Sequence, residues 1–143
     1  MKRKASAHWQ GSTQEGSGTL SAQSGTLKDT PYSFKARFGD RKGTNPEELI
    51  AAAHAGCFTM AVSFMLNNAG FTAEVIDSEA VLTMDTVNGN PTITAVHLTT
   101  RARVPGIDAA KFAEIASSAK TTCVVSRALA PSITLTLDAA LAS

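Results

Sequence analysis

Cysteine is scarce in this chain: there are two, Cys57 and Cys123, in 143 residues. Two thiols cannot form the disulfide scaffold of a small secreted domain. Nor can they build a four-ligand zinc site alone, and the three histidines, His8, His54 and His97, lie far apart in sequence. Excess charge of one sign is also missing. Thirteen Lys and Arg stand against twelve Asp and Glu, a net of +1, so no broad field gathers nucleic acid or an anionic membrane surface. Aromatic residues make up only 6%, without the basic interleaving of a single-strand binding platform. Gly16-Ser17-Gly18 lacks the spacing and the strand–helix setting of a phosphate loop. No internal repeat or low-complexity tract is present.

The one long apolar stretch, Leu49 to Leu66, is interrupted by His54, Thr59 and Ser63 and contains Gly56. A spanning helix needs about 20 predominantly apolar residues, so this stretch reads as a helix buried inside a protein, not as a membrane segment. The start, Met1-Lys2-Arg3-Lys4, is basic but no apolar run follows it, and a secretory leader is not expected. A cytoplasmic protein is expected, where thiols stay reduced and a cysteine pair is more often catalytic than structural.

A composition of 43% hydrophobic and 17% charged residues is that of a folded globular chain. The length predicts one domain, residues 1–143. Ala5–Gln10 and Thr19–Ser24 are weak strand candidates among glycine-marked turns. Tyr32 to Phe38 alternates apolar and polar residues and predicts a strand. Asn45, Pro46 and Glu48 form a strong helix start, and Asn67-Asn68-Ala69-Gly70 ends that helix. The helix is apolar on every side, which predicts a place in the middle of a core. Phe71 to Val87 and Thr92 to Val104 read as strands joined by a turn at Asn88-Gly89. Val96, Leu98, Ala102 and Val104 would point inward. Asp108 caps a second helix, running to about Lys120, with Ile107 and Phe112 placed as a hydrophobic staple. Val125 to Ala130 predicts a helical turn, which Pro131 breaks, and Ile133, Leu135 and Leu137 predict a last strand. Strands segregated around two helices indicate an α+β fold.

Free cysteine is often only a small buried hydrophobe. A reactive cysteine needs its thiolate stabilised, usually by nearby positive charge. Cys57 lies three turns into its helix, beyond reach of the helix terminus, so activation would require a cation from elsewhere. Arg37, Arg41, Lys42, Arg101, Arg103 and Arg127 are all candidates on the pattern alone. His54 precedes Cys57 by three residues, on the same helix face. That spacing is compatible with a hydrolase-like Cys–His pair, though a core histidine with a satisfied hydrogen bond is the commoner outcome. Metal binding by His54 and Cys57 lacks an evident third ligand. Cys123 falls at a Thr-Thr-Cys junction between helices that looks flexible.

The segment Gly43 to Phe58, GTNPEELIAAAHAGCF, resembles the central helix of the OsmC/Ohr family of hydroperoxide-reducing proteins, in its osmotically inducible branch. Ala7-His8-Trp9, Pro31-Tyr32 through Arg37-Phe38, Val104-Pro105-Gly106-Ile107-Asp108 and the surroundings of Cys123 support the likeness in the same order. The resemblance implies an OsmC-like α+β fold: a long buried central helix packed with antiparallel sheets, in two chains intertwined as a homodimer with shared active sites. It implies a thiol peroxidase with no metal, haem or other cofactor. Cys57 would be the peroxidatic cysteine and Cys123 the resolving one, with Glu47 holding Arg37 of the preceding strand. The substrate class it implies is an organic hydroperoxide, with hydrogen peroxide used less well. The reductant would be a dithiol, with a lipoyl-bearing protein as its type. A non-catalytic thiol redox sensor using the same cysteine pair is the alternative. Family members usually carry Pro after the resolving cysteine; Val124 stands there here.

Overall fold

In the computed structural model, which describes residues 1–143, the chain opens with a hairpin that only glycine permits. Strand β1 (Ala5–Gln10) pairs antiparallel with β2 (Ser17–Ala22), and β2 with the short β3 (Thr30–Tyr32). Gly18 faces Trp9 across the first pair. A methyl there would lie 2.2 Å from the His8 carbonyl oxygen and 2.5 Å from the Tyr32 ring. Its absence lets the Trp9 and Tyr32 rings meet at 5.4 Å between centroids. These strands belong to a compact unit, Met1–Leu49; a second comprises Ile50–Ser143.

The expected strand from Tyr32 to Phe38 is not one. It stops at Tyr32, and Phe34–Phe38 forms a short helix, α1. The reason is a capping serine. The Ser33 hydroxyl accepts a hydrogen bond from the Ala36 amide at 3.0 Å, and the Arg37 amide donates to the Ser33 carbonyl at 3.0 Å. Phe34 and Phe38, alternate positions of the supposed strand, become neighbours at i and i+4, with ring centroids 4.8 Å apart.

Helix α2 runs over Pro46–Asn68, as expected. Asn45 Oδ1 accepts from the Glu48 amide at 2.8 Å, and Asn45 Nδ2 donates to Glu48 Oε2 at 3.3 Å. By length and hydropathy α2 could cross a bilayer. Its burial is instead confined to one stripe, His54, Phe58, Val62 and Leu66, at every fourth residue. The expectation of a helix covered on all sides fails for the single chain: Met60 is 74% and Phe64 65% exposed. One sheet and one helical layer can cover only one side of a cylinder about 10 Å wide.

The sheet of the second unit is ordered β4-β5-β6. Strands β4 (Val75–Val87) and β5 (Asn90–Arg103) form an antiparallel hairpin through Asn88 and Gly89, both at positive φ (51° and 80°). Val96, Leu98, Thr100, Ala102 and, just past the strand, Val104 point into the core. Helices α3 (Ala109–Thr122) and α4 (Val124–Leu129) follow, and then β6 (Thr134–Leu141). In this sheet β6 joins β5 parallel, as a helical crossover requires. Asp108 caps α3, accepting from the Lys111 amide at 2.8 Å, and Phe112, Ile115, Ala116 and Ala119 form its buried face. The α2 stripe, the inner face of β5 and α3 share one apolar core that also holds Cys123. The result is α+β: two three-stranded sheets with four helices.

Phe58 is completely buried in that core. Phe58→Ala is expected to lower the unfolding free energy by about 3–5 kcal/mol, read from the midpoint shift in urea; a loss below about 1 kcal/mol would contradict this packing.

Candidate active site

Within the second unit, Cys57 on α2 and Cys123 between α3 and α4 face each other. Both are free thiols. Cys123 Sγ donates to Cys57 Sγ at 2.9 Å. A disulfide bond is about 2.05 Å long, so closure needs a shift of under about 1 Å. The backbone around Cys123 is not the loose junction expected from Thr-Thr-Cys. Its amide donates to the Ala119 carbonyl at 2.9 Å and its carbonyl accepts from the Arg127 amide at 3.0 Å. Cys123 thus closes α3 and opens α4, and α4 starts at Val124 without the proline usual in relatives.

The two thiols are unequal. Burial works against charge on Cys57, but the Cys123 S–H and the amides of Val125 and Val124 favour its thiolate and leave its pKa below the ordinary thiol value. Cys123 is pushed the other way. Burial raises its pKa, and so does its donation to Cys57, despite opposing help from the Ser126 amide and hydroxyl and the Val125 amide. Cys57 therefore ionises first, while Cys123 keeps its proton. A cation looked necessary for this from the sequence. Within its own unit the Cys57 thiolate is favoured by neutral donors.

Arg37 and Glu47 meet in the first unit. Arg37 Nε donates to Oε1 and Oε2 of Glu47 at 3.1 Å each, and Nη2 also donates to Oε1. The guanidinium carbon lies 5.0 Å from the Phe38 ring centroid. Burial raises the Glu47 pKa, but hydrogen bonding and charge from Arg37 outweigh it, and the carboxyl sits below its usual range. Arg37 is thus presented from a capped helix, not from the strand expected for it. It also lines a cavity of about 260 Å³ walled by Trp9, Tyr32 and Phe34.

His54 does not pair with Cys57. It is fully buried, and its Nε2 lies 2.7 Å from Ser126 Oγ. Burial holds its pKa below the usual value, so the ring is neutral. The sequence pattern passed over Ser126 altogether; its only signal is the position three residues after Cys123. No three His, Cys, Asp or Glu side chains cluster as metal ligands would.

The donors around Cys57 make its ionisation measurable. Alkylation of Cys57 against pH should show a midpoint below that of an ordinary thiol, because its pKa is lowered. Cys123→Ala should move that midpoint upward. No movement would mean that the Cys123 S–H does not support the thiolate.

Comparison with known proteins follows the same outline. Residues 39–138 match the family described as OsmC-like protein. Peroxiredoxin OsmC of Escherichia coli (strain K12) is 50% identical over 135 residues, which cover 94% of each chain. A crystal structure of an organic hydroperoxide resistance protein from Elizabethkingia anophelis superposes with a TM-score of 0.79 at 21% identity, covering 99% of both chains. For the organic hydroperoxide resistance protein OhrB of Bacillus subtilis the TM-score is 0.75 at 22% identity, covering 96% of this chain and 98% of that one. The two structures share the fold; the family match and the long, half-identical alignment go further, and this chain belongs to the OsmC family.

Proposed function

We propose that this protein is a two-cysteine thiol peroxidase that reduces organic hydroperoxides to alcohols and uses hydrogen peroxide less well. The observation that carries the reading is the pair of free thiols 2.9 Å apart, one eased toward the thiolate and the other kept protonated. The names of the relatives, a peroxiredoxin and organic hydroperoxide resistance proteins, point the same way.

The Cys57 thiolate attacks the distal peroxide oxygen. The O–O bond breaks, the alkoxide leaves and takes a proton, and Cys57 becomes a sulfenic acid. Cys123 then attacks the oxidised sulfur, water leaves, and a disulfide forms. Two electrons have passed from two thiols to the peroxide. A dithiol, of which a lipoyl-bearing protein is the type, reopens the disulfide by exchange. The cycle runs through sulfur alone and assigns no metal or cofactor. Arg37, oriented by Glu47, supplies positive charge for the thiolate and the departing alkoxide. A cytoplasmic setting suits a cycle that must return to free thiols.

The working unit is proposed to be a homodimer with shared sites. Support comes from α2, whose Met60 and Phe64 are left exposed on a helix apolar all round. A second copy of the same helix would cover that face.

Turnover with an organic hydroperoxide and a dithiol should vanish in Cys57→Ser; substantial surviving activity would sink the mechanism. Cys123→Ser should consume about one equivalent of peroxide and then stop. A wild-type protein that makes the disulfide once but does not cycle with any dithiol would be the redox sensor instead. Met60→Glu, a charge placed on the bare face of α2, should shift dimers to monomers in sedimentation velocity. An undisturbed dimer would exclude that face as the interface.

A further inference from the structure

The peroxidase cycle leaves one buried group without a task. His54 is completely covered, and its Nδ1 has no hydrogen-bond partner. Its only polar contact is Nε2 with Ser126 Oγ, at 2.7 Å. Which nitrogen carries the proton follows from that asymmetry. A buried N–H without an acceptor is rarer than an under-used acceptor. The proton is therefore on Nε2, which donates to the Ser126 oxygen, and Nδ1 is a bare lone pair.

A hydroxyl has one hydrogen to give. With its oxygen occupied by the histidine donor, the Ser126 hydrogen must find another acceptor. Ser126 stands three residues after Cys123 in the first turn of α4, for which Cys123 is the N-cap. The two positions lie within one turn of each other at the start of α4. Ser126 is 2% exposed and so is Cys123, so no solvent competes for the bond. The Ser126 side chain is among the donors that favour charge on the Cys123 sulfur, which makes that sulfur the acceptor left to it.

We propose that His54 is a positioning residue for Cys123: by donating to Ser126 it fixes the serine hydroxyl on the Cys123 sulfur and readies that thiol to resolve the oxidised Cys57. The histidine one turn before the first cysteine thus serves the second. Before oxidation the hydroxyl works against burial and against the neighbouring Cys57, which together keep Cys123 protonated. After oxidation the negative charge on Cys57 is gone, and the serine hydroxyl with the amides of Ser126 and Val125 is left to hold a Cys123 thiolate. That thiolate attacks the Cys57 sulfur, the S–O bond breaks, and the departing hydroxide combines with the proton shed by Cys123. One sulfenic acid and one thiol become one disulfide and one water. The groups acting on the Cys123 sulfur are Cys57 from α2 and the Val125 and Ser126 donors of α4; the α3 cation nearest in sequence, Lys120, donates to the Leu135 carbonyl at 3.4 Å.

The purpose of this relay rests on the peroxidase reading, but its chemistry is tested without peroxide. In a Cys57→Ser background the remaining thiol is titrated by thiolate absorbance. His54→Phe, which keeps the ring and loses the donor, should raise the Cys123 pKa by about one unit, a tenfold loss of thiolate at a given pH. His54→Gln places an amide N–H near the lost Nε2 and should restore the parental value. His54→Asn, whose amide corresponds to Nδ1, should not. Ser126→Ala removes the middle of the relay and should reproduce the His54→Phe shift, which keeps the test decisive if the ring replacement fails to fold. An unchanged Cys123 titration in Ser126→Ala, or equal behaviour of the Gln and Asn variants, overturns the proposal. With both cysteines present and one equivalent of organic hydroperoxide, His54→Phe should form the sulfenic acid at the parental rate and close the disulfide about tenfold more slowly. Equal slowing of both steps would mark a purely structural histidine. A parent that consumes no peroxide would refute the peroxidase reading and leave the titration to decide the relay.

Discussion

The contact between two sulfurs 2.9 Å apart, with the Cys123 S–H donating to Cys57, is the one on which the rest of the second unit converges. Neither cysteine could be placed by its own element alone. Cys57 rides a helix whose buried stripe is fixed by Phe58, Val62 and Leu66 in the core. Cys123 is fixed by two helix ends at once, the last turn of α3 and the first of α4. Their closeness makes the pair asymmetric, because whichever sulfur ionises first raises the barrier for the other. The donors decide the order. The amides at the start of α4 favour charge on Cys57, and the Cys123 S–H adds to them.

Within the second unit the Cys57 thiolate is supported by neutral donors, the Cys123 S–H and the amides of Val125 and Val124. An amide is a weaker partner for a thiolate than a guanidinium, but it is fixed by the backbone and needs no ordering when charge appears. In the first unit Arg37 is held in a fixed orientation. Its fork is held by both oxygens of Glu47 and its flat face lies over Phe38. In the proposed cycle the arginine is needed when the alkoxide departs, and a guanidinium held in place by a carboxylate is oriented before that moment.

The fold was largely legible in the sequence where a local rule was strong. Asn45-Pro46-Glu47-Glu48 starts α2, Asp108 starts α3 and Asn88-Gly89 turns the long hairpin, each by side-chain or dihedral preference that tertiary structure did not override. The segment after Tyr32 misled because Phe34, Ala36 and Phe38 satisfy a period of two, and only the Ser33 cap shows that the chain has turned helical there. The uniform apolarity of α2 also said more than one chain can realise. It includes the faces bearing Met60 and Phe64 that this chain leaves open, which the proposed dimer would cover. Of the candidate site, the two cysteines and the Arg37–Glu47 partners stood out as residue types within a family pattern. Ser126 did not, because a serine in a short helix has no signature until its neighbours are known.

His54 shows why spacing within an element is a poor guide to partnership. Three residues before Cys57, it shares a helix face with that cysteine, and a Cys–His pair is the natural inference. But a long helix side chain leans toward the helix N-terminus and away from the residues that follow it. The His54 ring, one turn before Cys57, takes its polar contact elsewhere. The partner it finds is on another element, Ser126 of α4, the short helix for which Cys123 is the N-cap residue. The constraint runs from the cap to the serine to the histidine, so the second cysteine sets the environment of a side chain sixty-nine positions earlier. A buried donor that reaches one cysteine through the helix opened by that same cysteine ties the chemistry of Cys123 to the integrity of the α3–α4 junction.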